Sequence, residues 1–141
     1  MSNFSKFTPE FINNFAAGTF PAYLGIEITH VGHAEVNARL EVQPHLLAPN
    51  GYLHAGSIVA LADTAAGFGC YANLPHGATS FTTVELKSNH LGTARDGAIV
   101  CVAKGVHMGQ TTQVWDATVS QEESGKTIAL FRCTQILLFP R

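Results

Sequence analysis

Residues 55–71 read AGSIVALADTAAGFGCY, and they would carry apolar side chains on nearly every face of the helix they form. A surface helix shows a polar stripe, whereas a helix that is apolar all round belongs in an interior. Small residues recur through it: Ala55, Gly56, Ala60, Ala62, Ala65, Ala66, Gly67 and Gly69. They let the helix axis lie close to whatever surrounds it. The rest of the chain must therefore wrap a central helix, which a sheet can do. Within this stretch Asp63 is the sole charged side chain between His54 and His76.

The flanking sequence supplies such a sheet. Positions 34–42 alternate Val36, Ala38, Leu40 and Val42 with Glu35, Asn37, Arg39 and Glu41, the period of a half-buried strand. Together with 26–31 and a turn at Gly32-His33 they predict a hairpin. Runs at 79–89, 98–107, 112–121 and 127–139 read as four more strands, separated by short turns rich in Gly and Asp. Upstream, Thr8 and Pro9 form a helix start, Gly18 ends that helix, and Phe7, Phe11 and Phe15 share one face. Segment 21–25 reads as a connector, and 43–53, with two prolines, Asn50 and Gly51, as a loop. The pattern is α+β: two strands, a buried helix, then four strands of an antiparallel sheet. A chain of 141 residues fits a single domain over 1–141, with 1–18 as a helical segment preceding its core.

Composition narrows the function classes. Charged residues make up 13% and hydrophobic ones 46%, which leaves few charges to cover a small domain's surface and points to a homo-oligomer. Eight basic and ten acidic side chains give a net charge of -2 with no basic run, which argues against nucleic-acid binding. Cys70, Cys101 and Cys133 lack disulfide or zinc spacing and read as buried thiols. The seven histidines lack metal-ligand spacing, so neither metal nor other cofactor is expected. No secretory signal and no membrane span is evident, making the cytoplasm the expected compartment.

Two features carry chemistry. A carboxylate amid apolar residues must be satisfied, by Ser57 or Thr64 for instance, or used. The helix start at Ala55 and Gly56 presents backbone amides with little side-chain bulk, and such amides can hold a carbonyl or an oxyanion. Asp63 lies about 12 Å further along the axis. One small carbonyl group cannot bridge that gap, but two antiparallel helices in a dimer would bring the carboxylate of one to the helix start of the other.

Gly51-Tyr52-Leu53-His54-Ala55-Gly56 followed by Leu61-Ala62-Asp63 resembles the signature of hotdog-fold acyl-CoA thioesterases of the phenylacetate-pathway type, in the 4-hydroxybenzoyl-CoA thioesterase superfamily. The resemblance runs through Thr82–Asn89 and the later strands, over about residues 20–139. It implies a curved antiparallel sheet wrapped around the long helix, and homodimers assembled as homotetramers with active sites between subunits. It implies Asp63 as base or nucleophile, the Ala55 amide as carbonyl-polarising group, His54 as support for that turn, and Thr83 as the residue that orients water. Asn50, Gly56, Phe81, Lys87 and Arg95 are the expected substrate-binding residues, for an acyl-CoA with a small aryl or medium-length acyl group. This chain departs from the usual pattern in having Ala55 for Gly, Ala48 for Asn, and Gln110-Thr111 for two arginines. The competing readings are a hotdog hydroxyacyl dehydratase, whose loop pattern 43–53 lacks, a non-catalytic acyl-CoA binding module, and a dimeric scaffold. A pure binder would be more stable with an apolar residue at position 63.

Overall fold

The computed structural model describes residues 6–141. Its order is α1 (Pro9–Ala16), α2 (Phe20–Leu24), β1 (Glu27–Gly32), β2 (Glu35–Glu41), α3 (Ala55–Ala72), β3 (Ser80–His90), β4 (Ala98–Met108), β5 (Thr112–Gln121) and β6 (Thr127–Leu138). The six strands form one antiparallel sheet in the order β1-β2-β4-β5-β6-β3. Helix α3 connects β2 to the far edge and packs against β2, β3, β4, β5 and β6. This is the hotdog arrangement.

Close approach of helix and sheet depends on the small residues. A Cβ at Gly69 would stand 2.5 Å from the ring of Trp115 on β5, so no larger residue fits there unless the ring moves. Trp115 is fully buried, and its Nε1 donates to Gln113 Oε1 at 2.8 Å. Only one face of α3 is fully buried within a subunit, through Ile58, Leu61, Ala62, Ala65, Ala66 and Cys70. The second face, with Asp63, Thr64, Gly67, Phe68 and Tyr71, is half-buried because it floors a cleft. All three cysteines are free and buried.

Three details differ from the sequence reading. The connector at 21–25 is mostly the short helix α2, with Pro21 in its first turn and Gly25 as a left-handed cap. The loop at 43–53 contains a 3-10 turn, Pro44–Leu46, and a bridge between Leu47 and Leu53. Strand β3 has a bulge between Thr83 and Glu85 that reverses its alternation. The expected N-terminal segment 1–18 holds α1, and its residues 1–5 lie outside the described residues.

The sheet's two edges are treated differently. At β1, the Asn13 side chain donates to the Ile28 carbonyl and accepts from the Ile28 amide, both at 2.9 Å, closing part of the ladder with a helix. At β3 the edge runs eleven residues, with Val84 and Leu86 exposed. A long apolar edge is a template for pairing with another chain.

Candidate functional site

Thr8 caps α1 by accepting from the Phe11 amide, and Ile12 and Ala16 plant the helix in the core. Its phenylalanines face elsewhere. Phe15 is 61% exposed and overhangs the cleft beside α3. That cleft, about 310 Å³, is lined by Phe15, Pro21, Asp63, Phe68, Tyr71 and Thr83, with Thr64, Gly67 and Phe81 completing it.

Asp63 lies in this apolar cleft, and its Oδ1 is buried with no hydrogen-bond partner among the described residues. Among the described residues, neither Ser57 nor Thr64 satisfies it; the Ser57 hydroxyl donates to the Leu46 carbonyl instead. Burial pushes the Asp63 carboxyl above the ordinary Asp value, because the charged form loses solvation that nothing in the subunit replaces. Cys133, close behind, is pushed up to about 12, first by burial and then by the Asp63 charge. The carboxylate is therefore a stronger base than a solvated one and has an open acceptor position.

Thr83, on β3, lines the same cleft, and its Oγ1 donates to the Gln135 Oε1 at 2.6 Å. Gln135 is fully buried, and its Nε2 donates to the Cys133 sulfur at 3.4 Å. With its proton given to Gln135, the Thr83 oxygen offers lone pairs to the cleft. Sequence reasoning missed Gln135, although the inward positions of β6 (129, 131, 133, 135 and 137) flag one polar residue among apolar ones.

The start of α3 borders a second, separate depression, lined by Phe20, Leu24, His45, Leu47, His54 and Gly56 among others. His54 caps the helix: its Nδ1 accepts from the Gly56 amide at 2.7 Å. In the neutral ring the proton then sits on Nε2. The sequence reading offered the amides of both Ala55 and Gly56, but His54 occupies the second. The Ser57 and Ile58 amides bond to the His54 carbonyl, and among the described residues no hydrogen bond is made to the Ala55 amide. A Cβ at Gly56 would stand 2.9 Å from His54 Nδ1, so glycine is what permits this cap.

Asn50 supports the approach turn by accepting from the Tyr52 amide at 3.1 Å. Arg95 lies over the Tyr52 ring, 4.0 Å from its centroid, and the Leu53 amide bonds to the Ala94 carbonyl, tying the two loops together. Lys87 is not brought to the cleft. The bulge turns it to the outer sheet face, in one cross-strand row with Arg132 and Asp116. Thus Asp63, Thr83 and Phe81 share one pocket, His54 and Gly56 border another, and Asn50 and Arg95 flank the loop leading to the second. No helix among the described residues is long and apolar enough to cross a membrane.

Comparison with known proteins places these features in context. The pattern of the Thioesterase superfamily matches residues 50–128. A 1,4-dihydroxy-2-naphthoyl-CoA hydrolase from Listeria monocytogenes is 34% identical over 79% of this chain and 89% of its own length. One of the same description from Escherichia coli is 30% identical over 94% of this chain and 96% of its own. A thioesterase from Haemophilus influenzae superposes with a TM-score of 0.90 at 29% identity, covering 99% of this chain and 96% of that one.

Proposed function

The chain belongs to the Thioesterase superfamily and is a thioester hydrolase, and from that premise we propose that it is an acyl-CoA thioesterase that acts as a dimer, with each active site shared between two subunits. Its substrate is an acyl-CoA with a small aryl or medium-length acyl group. Residues 1–141 act as one domain.

The unpartnered Oδ1 of Asp63 carries this reading. A buried carboxylate oxygen without a hydrogen bond is destabilising, and replacing it with an apolar group would relieve the fold. Its retention fits a base or nucleophile whose partner is the substrate or its water. The Ala55 amide, unbonded among the described residues, lies about 12 Å away on the same helix between His54 and Gly56, which line a different pocket, and this supports the shared site. The exposed β3 edge supports pairing between subunits, and two such pairs would give the homotetramer.

In this mechanism the Ala55 amide of one subunit, with His54 holding its turn, donates to the thioester carbonyl oxygen. Asp63 of the partner subunit acts in one of two ways. As a base, it takes a proton from water, aimed at the carbonyl carbon by the Thr83 hydroxyl. As a nucleophile, it attacks that carbon and forms an anhydride, which water then cleaves. In either case the C–S bond breaks, the thiolate leaves and takes up a proton, and the acid is released. Neither route requires a cofactor. Gly56 and Phe81 shape the two pockets, while Asn50 and Arg95 flank the entrance, where Arg95 is the candidate cation for the CoA phosphates. Lys87, on the outer face, could reach only CoA that extends beyond the entrance. Three reduced, buried thiols fit the cytoplasm as compartment.

The test is thiol release from short, medium and aromatic acyl-CoAs by wild type and Asp63→Asn. Loss of a catalytic base or nucleophile should lower the rate at least about a hundredfold, with the variant still folded. An unchanged rate would remove Asp63 from the mechanism. No release from any thioester, with CoA still bound, would favour a binding module instead.

A further inference from the structure

We propose that Phe15, on α1, selects the acyl group by ring stacking and favours a planar ring over a linear chain; this rests on the thioesterase reading of the Asp63 cleft. Helix α1 lies outside residues 50–128, the segment the family pattern matches, yet its Phe15 lines the Asp63 cleft. The N-terminal segment borders both depressions. Phe15 and Pro21 line the Asp63 cleft, and Phe20 and Leu24 line the pocket at the start of α3.

The helix that carries the ring is held in place. Ile12 is 1% exposed, and the Asn13 side chain grips both backbone groups of Ile28, so α1 cannot slide along β1. Phe15 therefore stays over the cleft although its own ring is mostly exposed. It stacks nearly parallel to Tyr71, with centroids 6.2 Å apart and planes 8° apart. Phe11 continues the series behind it, 6.3 Å away and 5° from parallel. Tyr71 projects from α3 two helical turns beyond Asp63, on the same half-buried face. From the opposite wall, the Phe81 ring approaches so near the helix that a Cβ on Gly67 would lie 3.3 Å from its Cζ.

An acyl group whose thioester carbon is within reach of Asp63 thus extends along a cleft wall that carries the Phe15 and Tyr71 rings, with the Phe81 ring also lining the cleft. A linear chain gains burial there. A planar ring gains burial and offset stacking as well, which adds about three- to tenfold per aromatic pair. Phe15 is 61% exposed within the subunit, so the part of its ring that the offset Tyr71 and Phe11 contacts leave uncovered is available for that contact.

The experiment measures kcat/KM for benzoyl-CoA and hexanoyl-CoA with wild type, Phe15→Ala, Phe15→Leu and Phe15→Tyr. Ile12 and Ala16, not Phe15, anchor α1, so the variants should fold, as checked by circular dichroism and melting temperature. The benzoyl-to-hexanoyl ratio should fall about three- to tenfold in the Ala and Leu variants and survive in Tyr, the hexanoyl-CoA rate falling less than the benzoyl-CoA rate because it loses burial alone. An unchanged ratio in Phe15→Ala, recovery in Phe15→Leu, or an equal fall for both substrates would overturn the role of Phe15. If wild type releases thiol from neither substrate nor from any other acyl-CoA, the thioesterase reading fails and this inference fails with it.

Discussion

The start of α3 and its middle meet opposite demands with the same helix. At the start, His54 satisfies the Gly56 amide and the His54 carbonyl satisfies the next two, while the Ala55 amide has no partner among the described residues. In the middle, Asp63 has a buried oxygen that no described residue satisfies. One end is a donor site made accurate by the hydrogen bonds around it. The other is an acceptor made reactive by their absence. Neither is complete in its own pocket, and the two are complementary in sign, which is why a second copy of the helix is the natural partner.

The sharpest way to break this comparison is to damage one half in each of two chains. Asp63→Asn should abolish the acceptor half. Gly56→Ala should displace His54 and spoil the donor half, since the new Cβ would stand 2.9 Å from Nδ1. Each variant alone should be nearly inactive, Gly56→Ala by about tenfold or more, as expected when an oxyanion donor is misplaced. Dissociated and reassociated together, they should regain about a quarter of wild-type activity, because half the dimers are mixed and each mixed dimer holds one intact site. Mixtures no more active than their components would place both halves of the site in one subunit.

Much of this comparison was readable before any coordinates. The uniformly apolar run at 55–71 marked a central helix, and a lone carboxylate within it stood out because apolar surroundings make charge conspicuous. The strands were legible from their period-two alternation. What escaped depends on local geometry that residue types do not encode. Segment 21–25 is too short for helical periodicity to register, and its proline suggests a connector although proline is equally at home in a first helical turn. The bulge after Thr83 leaves no signature in the sequence, yet it decides that Lys87 points away from the cleft. Gly56 read as an open amide because only the structure places the His54 ring against it. The spacing of Phe7, Phe11 and Phe15 was plain, but which surface they cover is a tertiary fact: the buried anchors are Ile12 and Ala16.

A smaller effect follows from the raised Asp63 pKa. Burial disfavours the charged form, so the working carboxylate is lost at a higher pH than a solvated Asp would show. The acid limb of kcat/KM should lie above the ordinary Asp value and fall about tenfold per pH unit below it. Stability carries the opposite sign. With the folded pKa above the unfolded one, protonation favours the fold, and the stability it contributes is lost as pH rises through the folded pKa. Asp63→Asn should therefore melt above wild type at neutral pH and converge with it in acid. A wild type that melts above the variant at neutral pH would mean that Asp63 has a stabilising partner and would undo the contrast between the two halves.

The smallest effect sharpens the acceptor half. Gln135 meets the cleft through Thr83, whose proton it accepts at 2.6 Å. Thr83→Val removes the oxygen that would hold water and should lower kcat by about tenfold, with KM little changed. Gln135→Met keeps the volume but removes the acceptor, freeing the Thr83 hydroxyl to turn its proton toward Asp63. It should lower kcat severalfold and also shift the acid limb of the profile downward, because a hydroxyl donated to the carboxylate favours its charged form. In a Thr83→Val background the Gln135 substitution should add nothing to either change, since the residue it acts through is gone. Additive losses in the double variant would make Gln135 a packing residue of β6 rather than the group that sets the direction of the Thr83 hydroxyl.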